Sequence, residues 1–208
     1  MEYCAHSHRH GLTLFNGEEP FRTQWNEVTS AIESITDDDI VTEFVEGGRT
    51  NKSLSVVINR LLHQRLTALG WAPESPIFAE EQHLSGEKGR FRLDFAKGVV
   101  SVEVAFNHGE AAAWNLLKPV LASELNHVKK AIQTEAGIII TATEEMKAAG
   151  GFDSAVGTYE KYVNYLRPLN DVLTVPLAVI GLKAPRTFRI VHLQETNRKI
   201  GHVELITL

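Results

Sequence analysis

LDFAKGVVSVEVAFN, residues 93–107, alternates apolar and polar side chains in two runs separated by a turn. In the first run the apolar residues Phe91, Leu93 and Phe95 take odd positions, and in the second Val100, Val102, Val104 and Phe106 take even ones. A period of two marks a strand, and Ala96-Lys97-Gly98 supplies turn chemistry between the runs, so the stretch predicts an antiparallel hairpin. Cross-strand partners point to the same face. The parity therefore predicts one face of aromatic and branched residues and a second face carrying Asp94, Ser101, Glu103 and Ala105.

Working outward, Phe21–Ile35 places Trp25, Val28, Ile32 and Ile35 at helical spacing, with Asp37-Asp38-Asp39 expected to break the pattern. A second helix carries Leu54, Val57, Ile58, Leu61, Leu62 and Leu66 along one face, with Thr50 or Asn51 as its cap and Gly70 as its stop. Downstream, Gly109–Gln133 reads as helical with a break or kink at Pro119. Gly137–Thr141 and Val175–Leu182 read as buried strands, Val156–Leu166 as a helix, and Arg186–Leu193 with Lys199–Leu208 as a closing hairpin. Helices alternating with central strands imply an α/β three-layer fold, a mixed central sheet flanked by helices, in a single domain over residues 1–208. Trp25, Trp71 and Trp114 are expected to anchor helices to the core, with Phe188, Ile190 and Leu193 also inside.

Composition narrows the class. Hydrophobic residues make up 43% and charged residues 23%, the balance of a globular protein, and the longest apolar runs are strand-sized rather than membrane-sized. No signal-peptide pattern opens the chain, and Cys4 is the single cysteine, which fits a reducing cytoplasm. A formal net charge of -5 argues against coating nucleic acid without regard to sequence. It leaves room for a local basic cleft.

Asp94 and Glu103 on one hairpin face form a candidate site for a hard divalent cation, because Mg²⁺ takes oxygen ligands and commonly uses one or two carboxylates. Alternation by itself serves a solvated face equally well, and two acids on a half-exposed hairpin are more often that. His6, His8 and His10 alternate, with Cys4 in register, as zinc ligands would on a strand, though surface histidines explain the pattern more simply.

The stretch as a whole resembles the active-site hairpin of the BglII/BstYI-type restriction endonucleases, within the PD-(D/E)xK nucleases, where Asp is followed nine residues later by Glu. AGIIITA, GGFDSAVGTYEKY and VPLAVIGL downstream, and CAHSHRHGL and LTALGW upstream, are similar in the same order, so the resemblance extends to about Lys183. It implies a type II restriction endonuclease: a homodimer cutting a palindromic double-stranded DNA site, tested first on GATC-centred sequences, with Asp94 and Glu103 holding Mg²⁺. It further implies a fourth catalytic position at Glu74, with Glu80 and Glu81 as rivals, and base contacts from Asn107, His108, Asp153 and Ser154. Asn, Asp and Ser suit base edges, while Lys52, Lys97, Lys118 and Lys147 are the candidates for phosphates. The chain departs from the pattern at Ala105, where this subgroup carries Gln and its wider kin Lys. That leaves an altered mechanism, a substituted site, or a DNA-binding protein of the same fold with weak or no cleavage.

Overall fold

The computed structural model describes residues 1–47, 51–80, 91–124, 127–195 and 198–206. In chain order the elements are β1 (Tyr3–His8), α1 (Gly11–Gly17), α2 (Phe21–Glu33), α3 (Asp37–Glu46), α4 (Ser55–Ala68), β2 (Ala72–Pro76), β3 (Arg92–Lys97) and β4 (Val100–Val104). After a 3-10 turn come α5 (Ala112–Ser123), β5 (Ala136–Ala142), α6 (Glu144–Ala149), α7 (Tyr159–Leu166), β6 (Leu177–Leu182), β7 (Phe188–Glu195) and β8 (Arg198–Leu205). Six strands form one sheet in the order β1-β6-β5-β4-β3-β2, and β7 with β8 forms a separate hairpin.

The sheet is mixed: β4, β5 and β6 run parallel, while β1, β3 and β2 are antiparallel to their neighbours. Parallel strands are covered on both faces. Accordingly Ile138 and Ile140 of β5 and Ala178 and Ile180 of β6 join the core formed with α1 to α4. Their neighbours Ile139, Leu177 and Val179 join a second core with Leu116 and Val120 of α5 and Tyr162 and Leu166 of α7. This is a three-layer α/β fold with a central mixed sheet between helices. No helix among the described residues is long and apolar enough to cross a membrane.

Several expectations change in detail. Asp37, Asp38 and Asp39 do not break a helix but open α3: the Thr36 side chain accepts from the Asp39 N–H and the Asp39 carboxylate from the Thr36 N–H, and acidic groups suit a helix N-terminus. Asn51 does not cap α4, whose N-cap position is Leu54; its side chain donates instead to the Phe44 carbonyl in the last turn of α3, and Thr50 lies outside the described residues. Pro119 is tolerated inside α5, which stops at Ser123 rather than Gln133. Beyond it the backbone of Lys129 and Ala131 pairs with Ala79 and Ile77, which extended chain can do and a helix cannot. α7 begins at Tyr159 rather than Val156 because Val156 is bridged to His108. Phe188 and Ile190 are buried, whereas Leu193 is exposed.

The hairpin parity holds for only part of β3. Phe95, Val100 and Val102 enter the core under α2 and α4, but Leu93 packs with Ile77, Phe78 and Ala122 in a separate cluster, so the alternation breaks at Asp94. The turn is a two-residue loop between the paired Lys97 and Val100, with Gly98 at φ +53 in its first position, a conformation that favours glycine.

Candidate active site

The β3–β4 register runs Lys97↔Val100, Ala96↔Ser101 and Phe95↔Val102, which brings Asp94 level with Glu103. At that point the ladder ends. The Asp94 carboxylate takes over a backbone bond, with Oδ2 accepting from the Val104 N–H at 2.7 Å. On the other side of β3 the pairs Pro73↔Phe95 and Ser75↔Leu93 bring Glu74 level with Asp94, and Glu74 sits at φ +49. Glu74, Asp94 and Glu103 thus stand abreast on three neighbouring strands.

Glu103 is 1% exposed, so the second hairpin face is not a solvated one. It lies beneath α5, because β4 is a central strand. Its Oε2 accepts from the Lys118 Nζ of α5, and its Oε1 is buried with no hydrogen-bond partner among the described residues. Burial, followed by the neighbouring Asp94 charge, pushes the Glu103 carboxyl up to about 8 against the opposing pull of Lys118. Burial also raises Asp94, which Lys118 and the Val104 N–H partly offset. A buried acid pair with one oxygen unsatisfied is a donor set suited to a hard cation that completes its shell with water and phosphate. Three or more His, Cys, Asp or Glu are nowhere grouped for a metal among the described residues, so Glu74 does not extend the pair into a triad.

A cavity of about 220 Å³ opens at Asp94, bordered by Asn59, His63, Glu74, Phe95 and Val104. Asn59 and His63 come from the exposed face of α4, four residues apart, and the sequence offered no sign of them. Glu80 lies elsewhere, accepting from the Lys129 N–H, and Glu81 is outside the described residues. Ala105 is 2% exposed and its methyl lies among Ala112, Leu116 and Ile139.

The two segments expected to read bases are stitched together. Asn107 and His108 are exposed, as are Asp153 and Ser154, and the bonds Gly109 N–H to Ala155 O at 2.7 Å and Gly157 N–H to Asn107 O at 3.1 Å join their loops. Asp153 accepts from the Ala155 N–H, an Asx turn, and Thr158 occupies the N-cap position of α7, so neither Asp153 nor Ser154 caps that helix. Asn115 of α5 donates to both the Asn107 side chain at 3.0 Å and the Tyr162 hydroxyl at 2.7 Å, tying the Asn107 loop to the helix that carries Lys118.

The lysines divide. Lys52 is exposed. Lys147 bonds the Ser154 and Val156 carbonyls and so braces the loop. Lys97 is held by Glu27 and the Leu69 carbonyl at the turn end of the hairpin. Lys118 is buried on Glu103 rather than extended at the surface; its place within the apolar run Leu116-Leu117-Lys118-Pro119-Val120 was the available sign. At the N-terminus, His8 is buried with Nε2 2.8 Å from the Leu173 carbonyl, and His10 lies beyond β1, so the alternating histidines do not converge.

Among solved structures, a crystal structure of restriction endonuclease BglII complexed with a DNA 16-mer matches with a TM-score of 0.68 at 17% identity, covering 99% of this chain and 100% of that one. A structure of free BglII matches with a TM-score of 0.55 at 15% identity over the same shares, 99% and 100%. These likenesses establish the fold. Among curated proteins no relative matches. A sequence model of the family described as restriction endonuclease BglII/BglIII matches residues 3–182, nearly all of the three-layer core, and the chain belongs to that family of restriction endonucleases.

Proposed function

We propose that this type II, site-specific endonuclease cuts a short palindromic duplex site as a cytoplasmic homodimer, with Mg²⁺ held by Asp94 and Glu103. The observation that carries the metal assignment is the unsatisfied, buried Oε1 of Glu103 beside the Asp94 carboxylate. Burial and the Asp94 charge keep the Glu103 carboxyl up at about 8 even with Lys118 bonded to it, so a further cation favours ionising both acids together. When bound, that ion would polarise the scissile phosphate and lower the pKa of the attacking water. The protein's own residues hold the parts in place: the Val104 N–H fixes Asp94, Lys118 bonds Glu103, and the joined loops bring Asn107, His108, Asp153 and Ser154 near one another, an arrangement suited to a DNA groove. We assign the fourth position of the site to Glu74, which borders the same cavity as Asp94. Lys52, exposed, suits a phosphate contact.

Ala105 favours a second reading, a DNA-binding protein with weak or no cleavage, since a methyl group can neither orient nor stabilise the attacking water. Incubation with plasmid and Mg²⁺, followed by sequencing of fragment ends, tests the first reading. Discrete fragments with a common end sequence, GATC-centred or otherwise, establish cleavage and report the site. A gel shift on specific duplexes with no cutting would establish the second.

The Glu103 carboxyl, pushed up to about 8, holds a proton below that pH, and a cation must displace it. Binding then releases one proton, so the dissociation constant for Ca²⁺ or Mg²⁺ should fall about tenfold for each pH unit between 6 and 8 and level off above. Calorimetric titrations across that range measure the slope directly. A flat profile would mean that Glu103 is already ionised.

Specificity should rest on the joined loops. Asn107→Ala or Asp153→Ala is expected to cost about 1–3 kcal/mol on the cognate duplex and little on random DNA. Equal losses on both would remove that residue from the reading set.

A further inference from the structure

We propose that Lys118 is a catalytic residue of this site: its ammonium, delivered from α5, stands where the strand residue Ala105 leaves no functional group. The inference rests on the metal-dependent nuclease reading. Ala105 lies two residues past Glu103 on the strand face that turns toward α5, and its methyl is enclosed by apolar side chains. Lys118 approaches that face from above and bonds Glu103 Oε2, leaving the second oxygen of the same carboxylate unpartnered among the described residues. Only a tenth of the Lys118 side chain is exposed, so its position is held by packing. Two features of α5 hold it there. Asn115, one turn earlier on the same helix face, is tied to Asn107 and Tyr162, and Pro119, the next residue, sits against Gly137 of β5, where no Cβ intervenes.

A lysine buried between α5 and the sheet is costly as mere structure, because an apolar side chain of similar volume commonly serves stability as well or better than a buried ion pair. A fixed cation beside the reacting phosphate has a use that an apolar residue lacks. In hydrolysis the water oxygen bonds to phosphorus while one ester P–O bond breaks; the water gives up a proton to solvent and the departing oxygen takes one up. Negative charge grows on the phosphoryl oxygens and the incoming oxygen during this step, and a preset ammonium stabilises it. The plainer alternative is that Lys118 only neutralises Glu103.

Rate and metal response separate the two. Lys118→Met, nearly the same length without charge, should lower single-turnover cleavage at saturating Mg²⁺ by about 100-fold while duplex affinity in Ca²⁺ and the melting temperature stay close to wild type. Moving the charge, as Lys118→Ala with Ala105→Lys, should restore at least about tenfold over Lys118→Ala alone, since a lysine at 105 projects from the strand face that Glu103 shares, toward α5. If Lys118 is only a counter-ion, its loss will shift the Mg²⁺ concentration dependence and leave the saturated rate unchanged, and the proposal falls. Should the Met variant unfold, failure of the relocated lysine to restore any rate overturns it equally. The nuclease reading fails separately: wild type would then show no Mg²⁺-dependent cutting, or Asp94→Ala would cut normally.

Discussion

Asp94→Asn should reduce single-turnover cleavage by at least about 1000-fold, a barrier increase of ~4 kcal/mol, with cognate binding retained in Ca²⁺ or without metal. Asn keeps the shape of Asp and an oxygen that accepts from the Val104 N–H, so the point where the β3–β4 ladder opens survives the change. What goes is one of the two charges that hold the cation. Removing it also relieves Glu103, whose carboxyl is pushed up in part by the Asp94 charge, so the folded protein should be no less stable than wild type without metal. A thermal melt and a gel shift, run beside the cleavage assay, distinguish this outcome from misfolding. Normal cutting by Asp94→Asn would remove the acid pair from the mechanism.

That the two acids belong to one hairpin was legible in the sequence, because alternation is local. Their register was not: a turn at Ala96-Lys97-Gly98 would set Asp94 opposite Val100, and only the two-residue loop Gly98-Val99 brings it level with Glu103. The environment of the pair was not legible. Ser101, Glu103 and Ala105 read as the polar face of a half-exposed hairpin, yet β4 also pairs in parallel with β5 and is buried under α5. A short alternating run with serine, glutamate and alanine on one side does not reveal that second layer. Long-range packing decides it.

The same distinction runs through the remaining residues. Glu74 stands level with Asp94 only because Ala72–Pro76 forms an edge strand, and a five-residue run with two prolines argues against a strand until its place at the sheet margin is known. Asn59 and His63 reach the cavity because α4 packs beside β3, with the His63 ring 5.6 Å from that of Phe95, which no local pattern encodes. The capping of α3 was local and readable in principle: Thr36 followed three residues later by Asp39 is a helix start, with the acids as its first turn rather than a break. The stitching of residues 107–109 to 155–157 again depends on two distant loops meeting above the sheet.

Gly137→Ala should lower both stability and rate, because this glycine sets how closely α5 approaches the sheet. A Cβ at Gly137 would lie 2.6 Å from Pro119 Cβ, 2.8 Å from Pro119 Cγ and 2.9 Å from a Leu177 methyl. The proline ring is fixed to the helix backbone and cannot swing aside as a long side chain would, so relief requires α5 to lift. Overpacking of this kind costs about 1–3 kcal/mol. In a chain of this size that corresponds to a fall in melting temperature of roughly 2–12 °C. Lys118 precedes Pro119, so lifting α5 also draws the ammonium from Glu103, and at a temperature where the variant is fully folded its single-turnover rate should still fall. Gly17→Ala is the matching control, since a Cβ there meets nothing within 4 Å, and it should melt and cut like wild type. An unchanged melting temperature and rate for Gly137→Ala would mean that α5 adjusts without moving Lys118, and that the close approach at Pro119 does not set the geometry of the acid pair.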